Sequence, residues 1–555
     1  MKRLSISVGI LVLYHVHAQK VSWQSDIQSG TQDFLSGLAV TMDGQYLVSG
    51  SSINQNPSTG SGQSTNQGYD YHILKLDQQG QKVWEKYSGG SKHDYLMNSI
   101  TTQEGGFALV GTSFSNISGD KKENNLGGSD VWIVRLSETG EELWQMTIGT
   151  KNNDEASAIV QSTDQGFFVA GNILDNKKLF GSKDVFVSKL DKDGKLIKTT
   201  ILGGRSLDEV TDMIPTPDGG AVVLVYSTSG KSENLNNIES QNSAQGNSSQ
   251  SANSQTATKL ELTSMVKTFI GKSEDNYGSG DYWVIKLDKN SNVEWQKTYG
   301  GSGDDRPKAI ANAHNGYIVS GESVSQSSGN KKDNIKEGTD IWVLNLDKTG
   351  NEVWQRSYNF GNRDVAMSVD VIERTNKDNF SEDRGFLLGG YTQAEGKMKK
   401  DDEKFWMLYI DVNGKEEWRK YVEGKEKKNE ERLVSAKLQS DGSFLLAGTS
   451  AEELGKENWK VVKLLDGDVE DLVENKDIRI YPNPVKDYAY VEIGLDFDQA
   501  DIYVYDMTGK VIQQLQTKNK ITKVDTSGLP QGVYIIKASI PNQKNKKLTT
   551  KIMKE

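Results

Sequence analysis

The chain has 555 residues, a formal net charge of -11, 25% charged residues and no cysteine, which excludes disulfides, thiolate nucleophiles and a lipid anchor on cysteine, and gives no basic footprint for nucleic acid or anionic membrane. Five histidines, two of them among the first 18 residues, are too few and too scattered for a histidine metal centre or a Ser/His/Asp triad.

Residues 1–18 carry Lys2 and Arg3, an apolar run from Leu4 to Val16 and small residues at Val16 and Ala18, the pattern of a cleaved signal peptide. No other stretch approaches the roughly 20 apolar residues of a membrane-spanning helix, so no transmembrane segment is expected after cleavage.

From residue 19 to 466 one block recurs seven times. Its clearest copies run DVWIVRLSETGEELWQMTIG from Asp130, DYWVIKLDKNSNVEWQKTYGG from Asp281 and DIWVLNLDKTGNEVWQRSY from Asp340. Each reads as a hairpin with a four-residue turn ending in Gly80, Gly140, Gly194, Gly350 or Gly414, with Ser291 the one replacement. The second strand carries Trp23, Trp84, Trp144, Trp295, Trp354 and Trp418, with Lys198 breaking the series; the spacings are 61, 60, 54, 97, 59 and 64. Between hairpins lies a second pair of strands ending in Gly50, Gly111, Gly171, Gly321, Gly390 or Gly448. Four short strands per repeat make one blade, and radial repetition buries the faces and hides most edges. An all-β fold follows, with a seven-bladed β-propeller. The last hairpin, at Asn458 to Asp466, lacks a partner strand, and KVSWQSDI at 20–27 lacks a hairpin mate, so the N-terminal strand is expected to close the ring.

Within the repeats, the stretch at about 228–278 reads as a disordered insertion: its first half is rich in Ser, Asn and Gln and cannot offset its ordering entropy, while LELTSMVKTFI at 260–270 suits a short amphipathic segment docked on a blade. The blade motifs resemble bacterial β-propeller repeats reading DxWVVKLD, GNxxWxKTYGG and DGGFxVxG, a likeness that speaks to fold and not to function.

A charged linker is read at 467–476. Residues 477–555 alternate strands with Pro and Gly turns and suit a small Ig-like β-sandwich. Tyr481-Pro482-Asn483-Pro484, Asp506 with Gly509 and Lys510, Gly532 with Tyr534, and a basic final strand with Lys551 and Lys554 are similar to the type A sorting domain of type IX secretion. The resemblance implies recognition by the outer-membrane translocon and sorting machinery, with the chain either released or attached at the cell surface.

In each blade the loops from second to third strand, and from fourth strand to the next blade, share one end, and the long variable loops lie there, so that end is where function is expected. An acidic residue recurs thirteen positions before the following strand: Asp33, Asp94, Asp154, Asp208, Asp304 and Glu431, with Asp364 equivalent. These carboxylates could ring one mouth and hold a cation or a cationic ligand, but a sevenfold repeat favours a turn role in which each accepts backbone N–H bonds. Asp120 and Asp130, in an oxygen-rich loop, are the weak suggestion of a Ca²⁺ site; no other cofactor is suggested. The tryptophans read as packing between blades, with Trp459 two residues out of register. Sequence finds no singular cluster of His, Tyr, Arg and acid. The expectation is therefore a monomeric secreted or surface propeller, more an adhesion or binding module for a glycan, peptide or surface protein than an enzyme. The alternatives are an extracellular carbohydrate-active hydrolase or lyase using paired carboxylates on the loop face, and a structural accessory of a surface complex.

Overall fold

A computed structural model describes residues 19–555 apart from 28–32, 54–67, 175–179, 234–266, 362, 376–380, 394–403, 422–429, 452–457, 474–476, 496 and 542–545. The signal-peptide reading of 1–18 lies outside the described residues.

The fold is all-β. The first four-stranded antiparallel sheet is made of Phe34–Val40, Tyr46–Ser52, Asp70–Leu76 and Lys82–Ser88, in that order. Sheets of the same order follow at 94–148, 154–203, 208–299, 305–358 and 363–421. In a further four-stranded sheet, the last of this unit, Lys20–Ile27 pairs antiparallel with Asn458–Leu465, followed by Phe444–Ala451 and Glu430–Leu438. The expected pairing of the N-terminal strand with the unpartnered last hairpin is therefore present.

The sequence pattern explains the layering. Third strands such as Asp281–Leu287 are buried along their whole length, because both faces meet a neighbouring sheet, and so read as continuous apolar runs. Fourth strands such as Lys82–Ser88 are half-exposed outer edges and alternate. Apolar clusters join each sheet to the next: Tyr71 and Ile73 meet Phe107 and Trp132, Val131 and Ile133 meet Phe167 and Phe186, Val185 meets Val223 and Trp283, Tyr282 meets Val319 and Trp342, Ile341 meets Phe386 and Trp406, and Leu387 and Met407 meet Leu446 and Val462. Leu445 and Trp459 of the last sheet pack on Leu35 and Leu74 of the first. Trp459 pairs with Thr449, where Trp406 pairs with Gly390; it sits one position out of register rather than two, on the opposite sheet face.

Two sequence boundaries change. The insertion read as disordered at about 228–278 is built into the fold at its end, where a docked segment is expected from sequence at 260–270: Lys267–Gly271 adds a fifth, parallel strand beside Leu196–Gly203, with Phe269 against Ile201. Phe269 packs on the core shared with the preceding sheet and Ile270 on the core shared with the following one, so the strand covers an otherwise open edge; residues 234–266 lie outside the described set. The stretch read as a charged linker begins as a helical turn, Gly467–Glu470, capped by the Asp466 side chain accepting from Asp468 N–H. Val469 and Leu472 are buried in the last sheet's core, so apolar burial at i and i+3 anchors it.

Residues 478–554 form two sheets, one of Ile478–Tyr481, Tyr488–Ile493 and Ile521–Asp525, the other of Val511–Thr517, Ala500–Tyr505, Gly532–Ile540 and Lys546–Lys554. They share a core that includes Val491, Ile502, Val524 and Ile536.

Candidate ligand-binding face

The recurring acids are buried where the chain crosses between sheets. Asp94 Oδ2 accepts the Gly90 N–H at 2.7 Å and the Ser115 hydroxyl at 2.9 Å. Asp208 accepts Gly204 N–H at 2.7 Å, Ser229 at 2.9 Å and Ser227 at 2.6 Å. Asp154 accepts Thr150 N–H, and Asp364 accepts Phe360 N–H at 2.6 Å. Asp33 is equally buried; of Glu431 only the backbone, paired with Ser450, is described. In the fifth copy this position belongs to Asp305, which accepts Gly301 N–H at 2.7 Å and the Ser323 and Ser325 hydroxyls. Asp304, the residue read from sequence, stands outside the crossing and takes the Tyr226 hydroxyl at 2.6 Å and Arg306 Nε at 2.7 Å. Two adjacent acids made the choice ambiguous in sequence; the four-residue reach back to the glycine decides it.

In the first five sheets a second acid, Asp70, Asp130, Asp184, Asp281 or Asp340, lies across the crossing at the start of the third strand, where the last two sheets carry Lys404 and Asn458. Asp130 accepts the N–H groups of Leu126 and Gly127, Asp281 that of Tyr277 and Asp340 that of Lys336 at 2.9 Å. Burial, reinforced by the facing acid, pushes Asp154, Asp184 and Asp281 up to about 7 and Asp364 up to about 6. Asp120 and Asp130 are each engaged by backbone N–H groups of different segments. Asp120 accepts the Gly89 N–H, and the buried Lys121 ammonium occupies the loop interior, donating to Glu123 O and Thr147 Oγ1, both at 2.9 Å, within the field of Asp94 and Asp130. Lys272 and Lys331 take the same role in two other loops. Among the described residues no group of three or more His, Cys, Asp or Glu is suited to a metal ion.

The C-terminal unit rests on the end that carries the short turns. The Gln78 amide donates to Ile521 O at 3.2 Å and accepts Lys520 N–H at 3.1 Å; Tyr481 donates to Met42 O at 3.3 Å, and Lys523 pairs with Glu138. Within that unit Asn483 Oδ1 accepts Met553 N–H at 2.9 Å. Asp506 Oδ1 accepts Thr508 and Lys510 N–H in a turn where Gly509 has φ +86°, and Tyr534 donates to Pro530 O at 2.8 Å. Lys551 is exposed, while Lys554 is buried and pairs with Gly532.

Antiparallel connectivity puts the long loops at the opposite end, and there the repeat stops being symmetric. The residue after the recurring acid is Phe34, Tyr95, Glu155, Glu209, Arg306, Val365 and Arg432 in successive copies. Phe34 lies 5.1 Å from the Tyr69 ring and 6.1 Å from that of Tyr95. Tyr69 and Tyr95 are 5.4 Å apart, His93 stacks on Tyr95 at 5.6 Å and 13°, and Phe114 meets Tyr95 edge-on at 6.3 Å. Phe34 is 41% and Phe114 36% exposed. The backbone fixes the group: Asp94 N–H donates to Tyr69 O at 2.6 Å, and Phe114 N–H to His93 O at 2.9 Å. Tyr69 N–H donates to His93 Nδ1 at 3.2 Å, so neutral His93 carries its proton on Nε2.

Farther round the same end, Lys183 bridges Glu155 at 2.8 Å and Glu209 at 3.0 Å. Arg306 lies over the Tyr226 ring beside Asp304, and Arg363 reaches Glu322 at 3.1 Å. These are singular clusters of His, Tyr, Arg and acid that the sequence reading did not find. The available signal was the residue following each repeated acid, where the repeat is least alike.

The family model of the secretion system C-terminal sorting domain matches residues 479–555. No curated protein matches the chain. Among solved structures the chain is similar to PorZ, an essential bacterial surface component of the type IX secretion system of Porphyromonas gingivalis, at 11% identity over 95% of this chain and 60% of that one, with a TM-score of 0.38; it thus spans less than two thirds of PorZ. It is also similar to a protein of unknown function from Dyadobacter fermentans, at 8% identity over 81% of this chain and 99% of that one, TM-score 0.37, and to the polysaccharide lyase Uly1, at 7% identity over 83% and 94%, TM-score 0.39. All three scores lie below 0.5, and the similarities say nothing of activity.

Proposed function

Taking residues 479–555 as a secretion system C-terminal sorting domain, we propose that the chain is a type IX cargo, a seven-bladed β-propeller closed by its N-terminal strand, that binds a ligand at the cell surface or in the medium through its long-loop end. The sorting tail indicates export. The ring is supported by the cluster that joins the last sheet to the first and by the Lys20–Ile27 strand in the last sheet. The binding role rests on one observation: the breaks in repeat symmetry described above that put aromatic rings into solvent lie at the end opposite the one on which the sorting domain rests.

The ordered polar contacts of the repeated acids support a structural part for them and leave recognition to the residues that follow. Export is tested by truncation after residue 476 in a host with an active type IX system: the truncated chain is expected to remain in the periplasm while the full chain reaches the surface or medium. Equal export of both would refute the sorting role.

A further inference from the structure

The aromatic group at the long-loop end carries more chemistry than a generic contact patch. Its members are a phenylalanine, two tyrosines, a histidine and a second phenylalanine, held by three backbone tethers, so little freedom is lost when a ligand settles on them. Tyr69, Tyr95 and His93 combine ring faces with hydroxyl or N–H groups at their edges. A pyranose offers the complement: axial C–H groups that lie against an electron-rich ring, and hydroxyls around the rim that bond to edge donors and acceptors.

Charge narrows the choice. Lys183 is committed to Glu155 and Glu209, Arg306 to Asp304, and Arg363, with Lys308 at 3.4 Å, to Glu322, while Lys92 beside His93 is exposed and is the cation an anionic chain would have to use, the case the alginate arm below tests. A polyanion or polycation would have to compete with these pairs, whereas a neutral polyhydroxyl chain leaves them intact and can accept and donate at their edges. We propose that Phe34, Tyr69, His93, Tyr95 and Phe114 form a binding site for a neutral polysaccharide. The proposal rests on the reading of the long-loop end as the binding face.

The test uses the full mature chain in native affinity electrophoresis through gels containing laminarin, galactomannan or xyloglucan, with alginate as the polyanionic arm. In parallel, binding to cell envelopes is measured before and after periodate, which cleaves vicinal diols. Tyr95→Ala and Phe34→Ala, both at partly exposed positions, are compared with His93→Gln, and each variant is checked for an unchanged melting temperature. Retardation in at least one neutral gel, weakened about tenfold or more by Tyr95→Ala, as expected for removing an aromatic anchor, together with periodate-sensitive envelope binding, is the expected result. Retardation by alginate alone, or no retardation with periodate-resistant envelope binding, overturns the polysaccharide site. If such periodate-resistant binding is still lost in Tyr95→Ala, the binding face stands and only its ligand class falls; envelope binding unchanged in both alanine variants removes the face and the site together.

Discussion

Lys198 Nζ donates to the carbonyl of Ser291 at 3.1 Å and to Asn292 Oδ1 at 2.7 Å, across the junction between the sheet at 154–203 and the one at 208–299. These are the two irregular residues of the repeat, and they are partners. In the regular junctions an indole lies on the glycine of the next sheet's turn: a Cβ on Gly80 would come within 2.6 Å of Trp23, one on Gly194 within 2.8 Å of Trp144 and one on Gly350 within 2.7 Å of Trp295. The indole N–H of Trp23, Trp295 and Trp354 donates to the turn backbone at Gln78, Lys348 and Val412. A lysine stem leaves room for the Ser291 Cβ, and its ammonium takes over the donation. Lys198→Trp alone is therefore expected to destabilise the chain by about 1–3 kcal/mol through overpacking, and Lys198→Trp with Ser291→Gly to recover most of it. Thermal unfolding of the four members of the cycle measures the coupling.

At the turn glycines the same geometry makes Gly80→Ala doubly unfavourable, since Gly80 has φ +78° and its Cβ would strike Trp23. A loss of about 1–3 kcal/mol is expected, read by chemical denaturation, whereas Gly509→Ala, with nothing within 4 Å, carries only the backbone part.

Removal of residues 19–27 takes the outer strand from the last sheet and uncovers Val461 and Lys463, which pair with Ser25 and Trp23. Limited proteolysis is expected to cut within 430–465 first, and the melting transition to broaden. A truncated chain with an unaltered, cooperative transition would show that the strand is dispensable.

Acidity should stabilise the repeats over a defined range. Asp154, Asp184 and Asp281 hold their protons up to about pH 7 in the fold and Asp364 up to about 6, whereas the unfolded chain releases them near 4. Between these limits the native state binds more protons, so stability falls as pH rises from about 4 to about 7. Lys272, lowered to about 8 by burial, acts in the opposite sense above that pH, where the unfolded chain retains the proton. Asp154→Asn, which keeps an acceptor for Thr150 N–H and supplies a donor to Asp130, should flatten the slope of melting temperature against pH.

The contact between the C-terminal unit and the short-turn end combines the Glu138–Lys523 ion pair and the Gln78 hydrogen bonds with the Ile521 side chain against Gly44. Glu138→Lys or Lys523→Glu should loosen it, and the paired reversal should restore it; the individual effect is expected to be under about 1 kcal/mol. Cleavage near residues 474–476 by a dilute protease reports it, with faster release in the single variants.

Strand order was legible because period-two alternation and recurrent turn glycines are local, and the N-terminal strand's place followed from counting hairpin mates. The sorting domain was legible from ordered motifs. What was not legible depended on contacts between repeats: that Lys198 and Ser291 compensate each other, that Asp305 and not Asp304 reaches back to Gly301, that Lys267–Gly271 covers an edge in parallel, and that Val469 and Leu472 tie down a charged stretch. The aromatic group escaped for a related reason, since Tyr69, His93 and Phe114 lie on different loops and converge only when neighbouring sheets pack.

The most direct test of the account compares binding of the full mature chain to cell envelopes for the unaltered sequence, for Phe34→Ala with Tyr95→Ala at the long-loop end, and for Gln78→Ala at the short-turn end. The account predicts that the double variant loses binding by about tenfold or more while Gln78→Ala binds as the unaltered chain does. Undiminished binding by the double variant, or loss confined to Gln78→Ala, would contradict it.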